Sequence, residues 1–342
     1  MRFKASFSQY KELCEMTSNL QIPKLSNAEL KAINQYFAEY SPYKINPAWH
    51  AFYAYLNGFD KRYIPIDFLF SYIIPALNKS KWSDGYVDKN RYTQLFPTIL
   101  QPKTFFKRIN GDYYIEDKIV KDDEAIALAL SVSDAIIKPS IETGQGKGVS
   151  LFNGTNIEKN RISGFLDSHG KNFIVQEKIQ AHPVISNLNP TSLNTIRMVT
   201  YRKGSEVFVL SSTMKIGKKG EVVDNGHSGG VFCGIKDGIL GDTIYSLNPF
   251  SASPLESIVE HTTKITLPNY NKLVKAAKEL ALQLPYSRYA GWDLSIDSNG
   301  NPILIEVNLS CPGGNIMQIP NGPLFGEMSN EILREIKYIY KK

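Results

Sequence analysis

Two acidic residues and an asparagine near the C-terminal end of the chain could together bind a divalent cation. Two apolar-rich runs flank Asn299 and Gly300, and an Asn-Gly pair in that setting predicts a β-hairpin. If this pair forms the turn, Asp293 lies opposite Glu306. Because side chains alternate along a strand, Asn308 shares their face. Opposed like charges destabilise a sheet, whereas Mg²⁺ takes oxygen ligands from one or two carboxylates together with substrate phosphates.

The other face of this predicted hairpin is apolar throughout. It carries Trp292, Leu294, Ile296, Ile303, Ile305 and Val307. The same alternation is common in a half-buried hairpin whose polar face lies in solvent. The hairpin taken alone therefore leaves two interpretations open, a metal site and a solvated surface.

A glycine-rich loop between two strand-like runs is the second chemical feature. It consists of Gly144, Gln145, Gly146, Lys147 and Gly148. The spacing matches neither a P-loop nor the dinucleotide-binding glycine motif, but the backbone N–H groups of such a loop can cover phosphates. Lys138, on the preceding run, could reach those phosphates as a point charge. The alternative is a glycine-rich turn beside a surface lysine.

A third polar group lies at the end of an apolar strand-like run. It consists of Gln176, Glu177, Lys178 and Ile179. The backbone groups and the acid at such a strand end could bind the edge of an adenine and a ribose. Charged residues at a strand end are also commonly just solvated, so this group indicates a nucleotide only in combination with the others.

Composition limits the classes of protein that the chain can belong to. It has 342 residues with 42% hydrophobic and 21% charged residues, which is typical of globular proteins and enough for two or three domains. The net charge of +6 suits polyanionic ligands such as nucleotides but is too weak to predict a nucleic-acid partner. The three scattered cysteines indicate reduced thiols in the cytoplasm. No apolar run predicts a signal peptide or a transmembrane segment.

The order of the elements predicts an α+β protein with a helical N-terminal part. Residues 1–88 have mainly helical spacing, and from residue 89 the chain changes to short β runs separated by glycine and asparagine turns. Residues 270–284 and 327–342 have the apolar spacing of helices. Strands and helices do not alternate regularly, which favours α+β over a parallel α/β sheet.

The order of these motifs resembles that of the ATP-grasp superfamily. The shared order is a lysine, a glycine loop, a Glu-Lys-Ile strand end and then Asp…Glu-x-Asn. The resemblance implies an ATP-grasp fold with a helical domain at residues 1–88 and two α+β subdomains, 89–180 and 181–342, that clamp ATP.

The same resemblance assigns roles to individual residues. Asp293, Glu306 and Asn308 would bind Mg²⁺ or Mn²⁺, and Lys138 would contact the phosphates of ATP. Glu177, Lys178 and Ile179 would bind adenine. Lys89 matches the earlier lysine that opens the grasp region.

Three segments resemble a narrower group, the sugar-transfer-associated ATP-grasp family. They are Ser192–Thr200, Val223–Gly230 and Tyr289–Asp293. This family is encoded among functions of capsule and surface-polysaccharide biosynthesis, and the resemblance covers about residues 60 to 325. Residues 1–60 lie outside it.

One position departs from the pattern of the D-alanine–D-alanine ligases, which share the Asp…Glu-x-Asn hairpin. Those ligases have an arginine two residues before the metal aspartate, and here that position is Gly291. The positive charge that would stabilise an oxyanion must therefore come from elsewhere. Arg197 is the first candidate, because a guanidinium is a planar donor fork, and Lys215 is the second. The alternative for Arg197 is an ion pair within the sheet.

Further candidates would contact the substrate. Asn194 and Asp224 are candidates, although both could instead stabilise turns. The loop that follows Asn308 contains Ser310, Gly313 and Gly314 and is expected to touch the acceptor. His227 could be a base or a structural residue.

The resemblance implies a carboxylate–amine ligase that uses ATP and forms an acyl phosphate. The resemblance also implies that its substrates are a small-molecule carboxylate and an amine, linked to sugars, and that glycan-assembly enzymes are its partners. Two alternatives are a kinase-like transfer of phosphate to a sugar or alcohol and a non-catalytic, nucleotide-binding partner of a glycosyltransferase.

Overall fold

A computed structural model describes residues 2–141, 146–224, 226, 229–247, 249–259 and 264–341. Within these ranges the chain forms two antiparallel sheets with helices packed against them. The predicted α+β class is therefore confirmed. Nowhere in those ranges does a helix combine the length and the apolarity that crossing a membrane would require.

The first part of the chain is helical, as its spacing predicts. Its helices are α1 (Arg2–Met16), α2 (Asn27–Ala38), α3 (Ala48–Asn57), α4 (Ile66–Phe68), α5 (Ile74–Leu77), α6 (Ser80–Ser83) and α7 (Tyr92–Leu95). A π-helical turn, Leu69–Ile73, joins α4 to α5, and a 3-10 turn, Lys89–Arg91, precedes α7. Helix α2 begins at a capping box in which Ser26 and Glu29 each accept a hydrogen bond from the other's backbone N–H.

The smaller sheet has six strands in the order β3-β2-β1-β6-β4-β5. They are β1 (Thr104–Ile109), β2 (Asp112–Ile115), β3 (Lys118–Val120), β4 (Ala135–Pro139), β5 (Ser150–Phe152) and β6 (Phe173–Glu177). Helices α8 (Asp122–Ser131) and α9 (Ile162–Ser168) complete its core with buried alanine, isoleucine and leucine side chains.

The larger sheet has the order β12-β11-β9-β8-β7-β13-β14, with β10 paired to β9. Its strands are β7 (Ile196–Lys203), β8 (Glu206–Ile216), β9 (Val231–Lys236), β10 (Ile239–Leu240), β11 (Thr243–Leu247), β12 (Phe250–Pro254), β13 (Tyr289–Ile296) and β14 (Pro302–Asn308). The remaining helices are α10 (Pro183–Ser186), α11 (Tyr270–Leu282), α12 (Asn315–Asn321) and α13 (Ser329–Lys341).

Both faces of the larger sheet are covered. Leu273, Ala277 and Leu280 of α11 form one core with Trp292 and other residues of the sheet. On the other face, the N-terminal helices share a core with the sheet and with α12 and α13. The aromatic residues of the N-terminal helices therefore pack against the larger sheet, and the division at residues 88 and 180 stays a prediction.

The turn of the predicted hairpin differs from the prediction. Asp297 N donates to Asn301 O at 2.9 Å, and Gly300 N donates to Asp297 O at 3.0 Å. The loop therefore has three residues, with Gly300 at φ +82°. A three-residue loop of this kind commonly ends on a residue in the left-handed region, which favours glycine.

A register shift between Asp293 and Leu294 compensates for the longer loop. Asp293 lies opposite Glu306, as predicted. The irregularity turns Ile305 out of the core and into the cavity described below, and Leu304 takes the buried position. The prediction that Ile305 faces the core is therefore wrong.

Asn78, at the end of α5, ties the helical segment to β13. Its Nδ2 donates to the carbonyl oxygens of Tyr289 and Leu309 at 2.7 Å each. Its Oδ1 accepts from the backbone N–H groups of Arg288 and Tyr289 at 3.1 Å each. One buried amide thus satisfies four backbone groups where the helices meet the sheet.

We expect Asn78→Ala to lower the free energy of unfolding by about 3 kcal/mol, because it leaves several buried backbone groups without a partner. Urea unfolding followed by circular dichroism would measure the loss. Asn160→Ala, at an exposed position, should change stability by less than about 0.5 kcal/mol. Equal losses in the two variants would contradict this role of Asn78.

Candidate functional site

A cavity of about 540 Å³ is lined by residues of both sheets. Many of the residues predicted to bind ligands line it. They are Lys89, Lys138, Gly146, Lys147, Gln176, Glu177, Lys178, Ile179, Arg197, Lys215, Asp224, Asp293, Glu306 and Asn308. Residues far apart in the sequence thus meet at one site.

The centre of the cavity is an ion pair between two adjacent strands. Arg197 on β7 is the register partner of Asp293 on β13. Arg197 Nε donates to Asp293 Oδ1 at 2.7 Å and Nη2 donates to Oδ2 at 2.9 Å. Burial alone would raise the pKa of Asp293, but the charges of Arg197 and Lys215 hold that pKa well below its usual range. Asp293 is therefore ionised across the physiological range.

Two residues before Asp293, at Gly291, the structure leaves no room for an arginine side chain. A Cβ atom on Gly291 would lie 1.9 Å from the carbonyl oxygen of Pro312, so the loop after β14 occupies the space of a side chain there. Arg197 Nη1 donates to that same carbonyl at 2.9 Å. The guanidinium thus reaches Asp293 from the neighbouring strand.

Lys215 on β8 lies between two carboxylates. Its Nζ is 3.3 Å from Asp224 Oδ1 and 3.3 Å from Asp293 Oδ2. The other oxygen of Asp224, Oδ2, accepts from the backbone N–H and the hydroxyl of Thr195. Burial alone would lower the pKa of Lys215, but the two carboxylates raise it. Lys215 therefore stays charged.

Glu306 on β14 pairs with a residue from the N-terminal part of the chain. Lys89 Nζ lies 2.7 Å from Glu306 Oε1. The backbone holds Lys89 in place, because its N–H donates to the carbonyl of Ser140, directly after β4. This ion pair thus joins the 3-10 turn beside the smaller sheet to the larger sheet.

Lys138 on β4 also lines the cavity. Within the described ranges no carboxylate forms an ion pair with its ammonium group. Burial and the nearby charge of Lys89 lower the pKa of Lys138 to about 8. The charge of Glu306 offsets part of this shift without forming an ion pair with Lys138, and an ammonium group of this kind in a cavity is suited to bind an anion.

The polar face of β13 and β14 fits a hard divalent cation. Asp293 and Glu306 are directly opposed, and Asn308 Nδ2 lies 3.4 Å from Asp293 Oδ2. Among the described residues no three acidic, histidine or cysteine side chains cluster as metal ligands, and Asn308 adds an amide to the two carboxylates of this face. Mg²⁺ is commonly held by one or two carboxylates, with phosphate and water completing its coordination.

Part of the glycine loop lies over the cavity. Gly146 and Gly148 have φ values of +68° and +76°. A Cβ on Gly148 would lie 2.8 Å from the ring of Pro139, so glycine is required there by conformation and by space. Gly146 and Lys147 line the cavity, whereas Gly148 does not. Gly144 and Gln145 lie outside the described residues.

The residues at the end of β6 line the cavity, but the side chains of three of them interact with other parts of the smaller sheet and its loops. Glu177 Oε1 accepts from the N–H of Lys103 at 2.8 Å. Gln176 Nε2 donates to the carbonyl of Pro102 at 3.3 Å. Lys178 is half exposed and lies 3.6 Å from Asp134. The backbone at the end of β6 is therefore held at the cavity by these side chains.

Four of the predicted substrate residues do not line the cavity. Asn194 is fully buried with a φ of +53°, its Nδ2 donates to the carbonyls of Ile185 and Asn189, and its Oδ1 accepts from Gly217 N. Asn194 therefore stabilises a turn, the alternative role that the sequence leaves open for it.

The other three residues lie on the loop after β14. Ser310 is exposed, Gly313 packs against Met317, and Gly314 packs against Ile66. None of the three lines the cavity, and that they touch a substrate stays a prediction. His227 lies outside the described residues.

Some lining residues were not predicted as ligands. Thr195 stands two residues before Arg197, and that spacing of two could have indicated a shared face. Ile305 faces the cavity because of the register shift, which no local pattern predicts. A further group of small or apolar residues also lines the cavity. Ser192 and Val223 belong to segments that carry the family resemblance, whereas no motif indicated Pro102, Ile136, Val149, Ser186 and Thr191.

The model of one protein family matches residues 73–332, and its description is sugar-transfer associated ATP-grasp. No curated protein matches the chain. The match confirms the superfamily inferred from the order of the motifs and the narrower family inferred from the segments Ser192–Thr200, Val223–Gly230 and Tyr289–Asp293.

Solved structures similar to this chain include several ATP-grasp ligases. The ATP-grasp ligase PsnB complexed with a minimal precursor is 13% identical, over 76% of this chain and 63% of that chain, with a TM-score of 0.43. The D-Ala:D-Ser ligase VanG from Enterococcus faecalis is 16% identical, over 74% and 61%, with a TM-score of 0.41. D-alanyl-alanine synthetase A from Vibrio cholerae is 11% identical, over 75% and 66%, with a TM-score of 0.44. The match thus spans about three fifths to two thirds of the length of these structures.

We expect Lys138→Met to stabilise the ligand-free protein at pH 7 by up to about 3 kcal/mol, because a buried charge is removed. The pKa of Lys138 is lowered from 10.5 to about 8 by folding, so its charge destabilises the folded state fully below pH 8. As the pH rises from 8 to 10.5 the unfolded chain binds more protons than the folded one, and the advantage of the variant disappears. Urea unfolding at pH 7, 8.5 and 10 would measure this.

Lys171→Met, at an exposed position, is the matched control and should show no such dependence on pH. A constant difference between Lys138→Met and the wild type over this range would contradict the burial of a charged Lys138.

Proposed function

Because the chain belongs to the sugar-transfer associated ATP-grasp family, we propose that it is an ATP- and magnesium-dependent carboxylate–amine ligase. It would activate a carboxylate as an acyl phosphate and join it to an amine. The observation that carries this proposal is the meeting of Lys89 and Lys138 in one cavity with the polar face of Asp293, Glu306 and Asn308, which is the proposed cation-binding face.

The proposed reaction has two steps. In the first, a carboxylate oxygen of the substrate attacks the γ-phosphorus of ATP, an O–P bond forms, and the bond to the β–γ bridging oxygen breaks so that ADP leaves. In the second, the amine nitrogen forms a bond to the acyl carbon and loses a proton, and inorganic phosphate leaves. The net products are an amide, ADP and phosphate, and no nucleophilic side chain is required.

The charges of the cavity suit these steps. Lys138 and Lys89 would bind phosphate oxygens, and the backbone N–H groups of the glycine loop would cover them. Asp293, Glu306 and Asn308 would hold magnesium, which when bound neutralises phosphate charge and polarises the phosphoryl group. Catalysis would then depend mainly on positioning and on fixed charges.

Arg197 and Lys215 take different parts in this proposal. The donors of Arg197 are directed at Asp293 and at the carbonyls of Cys311 and Pro312, which supports a positioning role. Lys215 has a flexible side chain and two carboxylate neighbours at 3.3 Å. Lys215 is therefore the better candidate to contact the oxyanion of the acyl transfer, with Asp224 holding it from the other side.

The family assignment also suggests the class of substrate. We infer that the carboxylate or the amine is linked to a sugar and that the product enters surface-polysaccharide biosynthesis in the cytoplasm, where glycan-assembly enzymes would be partners.

We expect Glu306→Gln to lower magnesium-dependent release of phosphate by at least about 100-fold while leaving the fold intact. The assay would supply ATP with a panel of amino acids and uronic acids and would identify products by mass spectrometry. Glu279→Gln, an exposed acid on α11, should keep wild-type turnover. Full activity in Glu306→Gln would refute the metal assignment, and ADP formed with a phosphorylated acceptor would indicate a kinase instead.

A further inference from the structure

We propose that Lys89 makes the cation site depend on polyphosphate. In this proposal its ammonium group occupies Glu306 until phosphate oxygens are present, so a divalent cation binds together with a nucleotide and not before it. The inference rests on the proposed function, since it concerns the order in which the ligands of that function bind. It assigns to Lys89 a role in selecting the metal–nucleotide complex over the free metal.

Both carboxylates of the cation-binding face already have cationic partners. Glu306 pairs with Lys89 at 2.7 Å. Asp293 pairs with Arg197 at 2.7 Å and with Lys215 at 3.3 Å. A metal that binds these oxygens must therefore compete with side-chain charges.

The balance of charge disfavours a metal that enters alone. Four cationic side chains line this part of the cavity and three carboxylates face them: Lys89, Lys138, Arg197 and Lys215, against Asp224, Asp293 and Glu306. Adding two positive charges to this partly buried space is costly, because charges repel strongly where water is excluded. A polyphosphate brings its own negative charge and gives the lysines other oxygens to bind.

Lys89 is placed to change partners, whereas Arg197 is not. The guanidinium of Arg197 is fixed by the carbonyl of Pro312 as well as by Asp293. The backbone of Lys89 is fixed by the carbonyl of Ser140, at 3.1 Å, which leaves its long side chain as the part that can turn. Because Ser140 follows Lys138 by two residues, that side chain starts beside the lysine expected to bind phosphate.

Binding of Mn²⁺ alone, measured from the electron paramagnetic resonance signal of the free ion, tests this proposal. We expect wild-type protein to bind Mn²⁺ weakly without nucleotide, and Lys89→Met to bind it more tightly by roughly 5- to 150-fold, the range of a typical coupling between two sites. Lys138→Met is the matched control. It removes one positive charge from the same cavity but breaks no ion pair with Glu306, so its gain should be clearly smaller.

Several outcomes would overturn the proposal. Equal gains in Lys89→Met and Lys138→Met would mean that only net charge matters. Wild-type protein that binds Mn²⁺ as tightly alone as with AMP-PNP would refute it without any variant, even if Lys89→Met did not fold. Lys89→Arg, which keeps the charge, should behave as the wild type.

The same measurement separates this proposal from the proposed function. If wild-type protein binds no Mn²⁺ in the presence of AMP-PNP beyond the Mn²⁺ that AMP-PNP binds without protein, the proposed function is refuted. If it binds that complex but Lys89→Met gains nothing for Mn²⁺ alone, only the role of Lys89 is refuted.

Discussion

The ion pair between Arg197 and Asp293 connects the parts of the molecule that form the site. It crosses from β7 to β13, and Arg197 also binds the carbonyl of Pro312 in the loop after β14. Removing two charges from water is costly, and replacing a buried ion pair by apolar residues is often neutral or stabilising. Stability alone therefore does not account for this pair. The pair keeps the carboxylate of Asp293 ionised and oriented before any ligand binds.

The remaining charges are arranged around that carboxylate. Lys215 bridges Asp293 and Asp224, and Glu306 is held by Lys89 from the N-terminal part of the chain. The helical segment is thus linked to the site through Lys89 as well as to the larger sheet through its aromatic core. In the proposed function, a cavity whose carboxylates already have cationic partners would take a ligand that brings both metal and phosphate.

Local patterns in the sequence predicted which residues meet better than they predicted how those residues are arranged. The alternation of side chains around Asp293 and Glu306 predicts their pairing correctly, whereas the predicted two-residue turn is wrong. The pairing holds because the longer loop and the register shift cancel each other. The same shift moved Ile305 into the cavity. Asn194 shows a different limit of prediction from sequence. An asparagine can serve either as a ligand-binding residue or as a turn residue, and only the buried hydrogen bonds of its side chain distinguish the two roles. The pairing of Arg197 with Asp293 joins residues 96 positions apart, a distance that no local pattern covers.

A crystal structure with Mn²⁺ and AMP-PNP, with the metal located by its anomalous scattering, tests most directly whether this face binds a metal–nucleotide complex. We predict a manganese peak bound by Asp293, Glu306 and Asn308, with the ammonium group of Lys89 on a phosphate oxygen. A peak held by other residues, or Lys89 still paired with Glu306 beside a bound nucleotide, would contradict it.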